Sequence, residues 1–252
     1  PADLLAVSCA SHSGEAMHLD AVRRTLKMVG LTEADLQNTP ARPSGATACD
    51  AARRAGIEPS ALQQNCSGKH SAMLATCKIN GWPIEHYLAI DHPLQLSITA
   101  HIAQLIGAAI TEIGIDGCGA PTHAFALRGL ADAFAAVVSA DGPVARAMRA
   151  HPELVGGTGR DITAWMQAVP GLIAKEGAAG VLAAALPDGR AVAYKIADGS
   201  ESARQAVMPK AMKLLGVDRE TIQRVVAETR VLVMGHGQEV GQLRPLRWLA
   251  PD

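Results

Sequence analysis

Cys66 and Lys69 stand three residues apart in Asn65-Cys66-Ser67-Gly68-Lys69-His70, just ahead of an apolar stripe at helical spacing formed by Met73, Leu74 and Cys77. Ser67 is placed to cap a helix running to about Ile79, with Asn80-Gly81 as its stop. A thiol at such a helix mouth feels the positive end of the helix dipole and a neighbouring ammonium, and both favour thiolate. The plain alternative is a buried cysteine beside a lysine whose stem lies along the surface. A third reactive group, Cys118, sits between two glycines in the turn-rich Ile115–Thr122 segment. Cys66 and Cys118 together would make a soft donor pair suited to zinc; a lysine could join them only as the neutral amine, which costs a deprotonation.

The elements that must position these groups read mainly as helices. Leu4–Ala10 is a short apolar run, either a buried strand or a buried helix end, leading into Ser11-His12-Ser13-Gly14-Glu15. That cluster opens a helix with Met17, Val22, Leu26 and Met28 inward, ending near Gly30. Thr32 caps a short helix with Asp35 three residues on. A helix starting at Asp91-His92-Pro93 carries Ile98, Ile102, Leu105, Ile106 and Ile110 and is expected to be central, stopping at Gly114. Leu127–Val138, Val144–Ala150, Ser202–Leu215 and Glu220–Ala227 are further helices. Val181–Leu186 and Ala191–Ile196, joined through Asp188-Gly189, form the clearest hairpin, and Lys195 near its end could be an edge-strand gatekeeper. Val155-Gly156-Gly157-Thr158-Gly159-Arg160 lacks the Gly-Lys-Ser/Thr ending of a phosphate loop, which argues against nucleotide binding. His12 and His18, six apart, do not share a helix face as a metal pair would, and His92 reads as a satisfied core histidine.

The bulk properties narrow the class. With 252 residues, 48% hydrophobic and 19% charged, the chain can bury a sizeable core, built from aliphatics because aromatics supply only 3%. A net charge of −1 without a long basic run argues against nucleic acid or an anionic membrane as the main partner, and no apolar run is long enough to span a bilayer. Five scattered cysteines fit reduced thiols in the cytoplasm rather than a disulfide scaffold. No interdomain linker is evident, so one domain over 1–252 is expected.

The Cys66 stretch resembles the signature of the asparaginase II family, the rhizobial-type L-asparaginases. Ser11-His12-Ser13-Gly14-Glu15, His92-Pro93-Leu94-Gln95, Asp116-Gly117-Cys118-Gly119-Ala120-Pro121 and Lys195-Ile196-Ala197-Asp198-Gly199 agree with it in type and order, so the resemblance spans nearly the whole chain. It implies an α/β fold like the serine β-lactamases and penicillin-binding proteins, an antiparallel sheet flanked by helices, with N-terminal strands lying upstream of Pro1. It implies hydrolysis of L-asparagine to L-aspartate and ammonia, with a small-molecule partner only; a homodimer is admitted but not required. It also implies zinc on Cys66, Lys69 and Cys118, with His70 and Asp116 beside the ligands or the substrate.

Its chemistry is that of a serine hydroxyl activated by a lysine made neutral through burial and nearby positive charge. The resemblance implies two such pairs, Ser11 with Lys195 and a Ser-x-x-Lys followed by Pro. The chain contains no Ser-x-x-Lys. On that pattern the 252 residues bind substrate but turn it over only when joined to an upstream segment; turnover by the chain itself would shift the nucleophile to Ser11 or Cys66. The other readings are a Cys66 amidase with Lys69 as base, a zinc-water hydrolase, and a non-catalytic domain that binds an amino acid.

Overall fold

Glycines and capping side chains divide the chain into short helices and three small antiparallel sheets; the computed structural model describes residues 1–246. The first part is helical: α1 (Ala2–Ser8), α2 (Ala16–Met28), α3 (Ala46–Arg54), α4 (Ser67–Asn80) and α5 (Pro93–Ile106). A hairpin, β1 (Glu112–Ile115) with β2 (Pro121–Ala124), precedes α6 (Leu127–Ser139), α7 (Pro143–Ala150), α8 (Pro152–Val155) and α9 (Asp161–Ala168). Then come β3 (Ile173–Gly177), β4 (Val181–Ala185), β5 (Ala191–Lys195), α10 (Glu201–Leu214), α11 (Arg219–Thr229) and a last hairpin, β6 (Leu232–Gly235) with β7 (Gln238–Gln242). The architecture is mixed α/β with antiparallel sheets and flanking helices. No helix among the described residues is long and apolar enough to cross a membrane.

Two apolar clusters hold the chain together. One packs Leu4, Val7, Val22, Leu26, Leu74 and Tyr87 between α1, α2 and α4. The other gathers Trp165, Ile162, Leu172, Leu182, Met208 and Met212 around the β3-β4-β5 sheet. Burying a large aliphatic or aromatic side chain contributes roughly 1.5–3 kcal/mol before chain entropy is counted, so these clusters are the main stabilising term.

Several expectations need correction. Of the two readings of Leu4–Ala10 the helical one holds through most of its length, with Leu4 and Val7 packing into one apolar cluster and Ala6 into the other. Met28, expected inside, is 66% exposed at the end of α2. The helix from Pro93 stops at Gly107, whose left-handed φ of 62° ends it well before Gly114. It is peripheral, burying only Leu94, Gln95 and Ile106, and His92 caps it by accepting from the Leu94 N–H. Ile115–Thr122 is not merely turns: its ends pair as β1 and β2, leaving Cys118 in the connection. The C-terminal segment from Gly235 contributes β7, and its last residues, 247–252, lie outside the described part.

His12 and His18 make the local structure pH-sensitive. Their rings stack with centroids 4.9 Å apart. Each Nδ1 accepts a backbone N–H, from Gly14 and Glu15 respectively, so each Nε2 carries the proton, donating to Ser67 Oγ and to the Glu153 carbonyl. Both nitrogens of each ring are thus partnered. Burial, reinforced by His18, lowers the His12 pKa from 6.5 to about 3. The unfolded chain therefore binds the proton between those values and the folded one does not, so stability is full above pH 6.5 and falls as the pH drops towards 3. From pH 7 to pH 5 His12 alone costs about 2 kcal/mol, at about 1.4 kcal/mol per pH unit. Urea midpoints at the two pH values measure this, and His12→Asn should flatten the dependence.

Candidate active site

Helix α4 and the β1–β2 connection bring the two thiols together. Cys66 is the N-cap of α4 and Lys69 lies in its first turn; Ser67, expected to cap, is inside the helix and takes the His12 ring instead. Gly68 is required between them, since a Cβ there would lie 2.0 Å from the Val7 carbonyl oxygen. Asp116 turns the β1–β2 connection by accepting from the Gly117 N–H, and Gly119, at φ 90°, closes it on the Asp116 carbonyl. Cys118 Sγ then lies 3.3 Å from Lys69 Nζ and 3.2 Å from Asp116 Oδ2, and Lys69 Nζ is 3.6 Å from Asp116 Oδ2. The donor atoms of Cys66, Asp116 and Cys118 all fall within 4.8 Å of one another.

One proton serves the two sulfurs. A hydrogen bond from Cys66 holds the Cys118 thiol far below its ordinary value, and the Ala120 N–H and Lys69 add to this against desolvation. The same hydrogen bond, with burial, drives Cys66 upward. Lys69 loses by desolvation but is held as an ammonium by the thiols and Asp116. His70 is fully buried; its Nδ1 meets the Tyr87 hydroxyl at 2.7 Å, and its Nε2 has no hydrogen-bond partner.

The glycine-rich segment after α8 holds the Ser11 stretch rather than a phosphate. Ser11 N–H donates to the Val155 carbonyl and Ser13 N–H to that of Gly156, while Thr158 donates to both Glu15 carboxylate oxygens, at 2.8 and 2.6 Å. Gly157, at φ 138°, has no room for a side chain beside Ser13. Across from this tether, β3 presents Lys175, whose Nζ donates to Ser11 Oγ at 2.7 Å and to the Glu176 carbonyl. Burial lowers the Lys175 pKa below the ordinary lysine value, opposed by Glu176, Cys66 and Cys9 and helped by Arg160.

Ser11 Oγ thus meets Lys175 rather than Lys195, the partner that the resemblance implies. Lys175 pairs in register with Ala183 and Lys195 with Val181, two residues along β4, so both lysines leave the same sheet face. Lys195, however, is exposed and donates to the Ile196 carbonyl. Lys175 was missed because Ile173–Gly177 is a five-residue strand buried on both sides. Its signals were Gly171 and Gly177 around a short apolar run, Leu172-Ile173-Ala174, that ends in Lys175-Glu176.

Ser11, Cys66, Lys69, Asp116, Cys118 and Lys195 nevertheless all line one open cleft of about 1220 Å³, with Lys175 in its wall. His70 lies behind it, fully buried.

A hydroxyl–amine pair and a thiol–amine–carboxylate cluster thus face one cavity of a mixed α/β protein. The family model for L-asparaginase II matches residues 1–245, and the chain belongs to that family. No curated protein matches the chain.

Proposed function

We propose that the cleft hydrolyses L-asparagine to L-aspartate and ammonia, with Ser11 as nucleophile and Lys175 as its base. The observation that carries this is the 2.7 Å contact between Ser11 Oγ and a lysine amine whose burial favours the neutral form. Lys175 Nζ takes the hydroxyl proton as Oγ attacks the side-chain carbonyl carbon. The same proton passes to the leaving nitrogen as the C–N bond breaks and ammonia departs. Water, deprotonated by the lysine in its turn, then attacks the aspartyl ester, and the lysine returns that proton to Ser11 Oγ as the ester C–O bond breaks and L-aspartate leaves. Family membership supports an amide substrate. In this reading the chain is a single cytoplasmic amidohydrolase domain, and its three-stranded sheet is that of a serine β-lactamase-like fold.

Zinc fits the second half of the cleft. Two sulfurs and a carboxylate gather around one ammonium, and a buried imidazole nitrogen beside them lacks a partner; a soft-to-borderline dication suits that donor set. Cys66, Cys118 and, after losing its proton, Lys69 would hold it, with Asp116 alongside. Bound zinc would supply a Lewis-acidic point that orients polar groups of the substrate. Elemental analysis of the purified chain should find about one zinc per molecule, as for a dedicated site, and Cys118→Ser should reduce it to a small fraction. A folded, metal-free sample would count against this half of the proposal.

The experiment for the whole is ammonia release from L-asparagine by the 252-residue chain and by its Ser11→Ala variant. Release that the substitution abolishes supports Ser11. A chain that binds asparagine without releasing ammonia places the nucleophile in a Ser-x-x-Lys segment outside these residues, and release that survives Ser11→Ala transfers it to Cys66.

A further inference from the structure

One charged group of the cleft has no part in the chemistry above. Glu176 follows Lys175 on β3, its side chain is only 6% exposed, and Arg160 donates to its Oε1 at 2.9 Å. Its Oε2 is buried with no hydrogen-bond partner; Lys175 Nζ stands 3.8 Å away. Leaving a buried carboxylate oxygen without a donor is costly, and its natural remedy is a cation or N–H supplied from the cavity that the residue lines.

We propose that the Arg160–Glu176 pair receives the amino-acid head of the substrate, Glu176 Oε2 taking the α-ammonium and Arg160 the α-carboxylate. This rests on the reading of Ser11 as the group that attacks the side-chain amide. Among the described residues three carboxylates line the cleft: Asp116, Glu176 and Glu201. Asp116 already accepts from the Gly117 N–H and lies against Cys118 and Lys69, and both oxygens of Glu201 accept from Arg204. Glu176 alone has an oxygen to spare.

The placement also fits the length of the substrate. Lys175 Nζ is 2.7 Å from Ser11 Oγ and 3.8 Å from Glu176 Oε2, so both oxygens stand close to one amine. In asparagine the reacting carbonyl carbon and the α-nitrogen are three bonds apart, a short span of the same kind. The α-ammonium and α-carboxylate share one carbon, and a side-by-side carboxylate and guanidinium are their complement in charge and spacing. Arg160 is 27% exposed on its side chain and so keeps donors available to the cleft.

The test compares L-asparagine with succinamate, the same amide without its α-amino group. The unmodified chain should favour asparagine in kcat/KM by about 100-fold, the range for a hydrogen bond to a charged group. Glu176→Gln should cut that preference at least about tenfold. Equal use of both amides by the unmodified chain, or a variant that weakens both in the same proportion, would overturn the assignment; a merely structural glutamate gives the second result. Calorimetric binding of the two compounds gives the same ratio where ammonia is not released, so loss of the hydrolytic reading does not decide this one. If Glu176→Gln fails to fold, Arg160→Gln is compared on L-asparagine and β-alaninamide, which lacks the α-carboxylate. An unchanged ratio there overturns the proposal.

Discussion

Lys175→Ala should lower kcat/KM for L-asparagine by about 10³-fold, while Lys195→Ala should change it by only a small factor. The difference follows from where the two amines end. Lys175 Nζ lies on Ser11 Oγ and is pushed towards the neutral form by burial, so its removal takes away a general base, an effect of about 10²–10⁴-fold or roughly 3–5 kcal/mol. Lys195 lines the same cleft, but its amine rests on the carbonyl of the next residue in an exposed position, where it can steer a substrate without moving a proton at the reacting centre. Steady-state assays on the two variants, with circular dichroism to show that both fold, measure the contrast. Equal and large losses from both would mean that the pair assigned to Ser11 is wrong.

Gly68→Ala should destabilise the chain by about 3 kcal/mol or more and empty the proposed zinc site with it. The added methyl carbon would lie 2.0 Å from the Val7 carbonyl oxygen and 2.8 Å from its carbon, both backbone atoms that no rotamer change can move. Overpacking of this kind typically costs 1–3 kcal/mol, and the upper end or beyond applies where backbone meets backbone. Against a total stability of about 5–15 kcal/mol that loss is large. Relief requires α4 to move off α1, which displaces Cys66 and Lys69 on either side of the glycine. Gly142 has nothing within 4 Å of an added Cβ and an ordinary φ of −72°, so Gly142→Ala is the matched control and should change stability little. Urea unfolding and zinc content of the two variants give the comparison.

Much of the site was legible before any coordinates. The span of α4 followed from Asn80-Gly81, because Gly81 takes the left-handed conformation that ends the helix. Cys66, Lys69 and Cys118 meet as the two motifs suggested, although nothing in their spacing could show that Asp116 would stand as close to the sulfurs as Lys69 does. The β4–β5 hairpin was plain from Asp188-Gly189 between two apolar runs. What was hidden is tertiary. A strand buried on both faces has no alternation to read, so β3 and Lys175 passed unnoticed, while Lys195 was singled out by the resemblance of Lys195-Ile196-Ala197-Asp198-Gly199. The apolar pattern after Pro93 overstated the burial of α5, since periodicity identifies a face but not what covers it. The pairing of Ser11–Ser13 with Val155–Gly156 joins segments more than a hundred residues apart, and no local rule reports such a contact.

The attacking group itself is open to direct inspection. The chain is mixed with L-asparagine, quenched in acid within the first turnover, digested and read by mass spectrometry. The account requires an aspartyl ester on the peptide that carries Ser11, absent from Ser11→Ala; an adduct on Cys66, or steady ammonia release with Ser11 unmodified throughout, contradicts it.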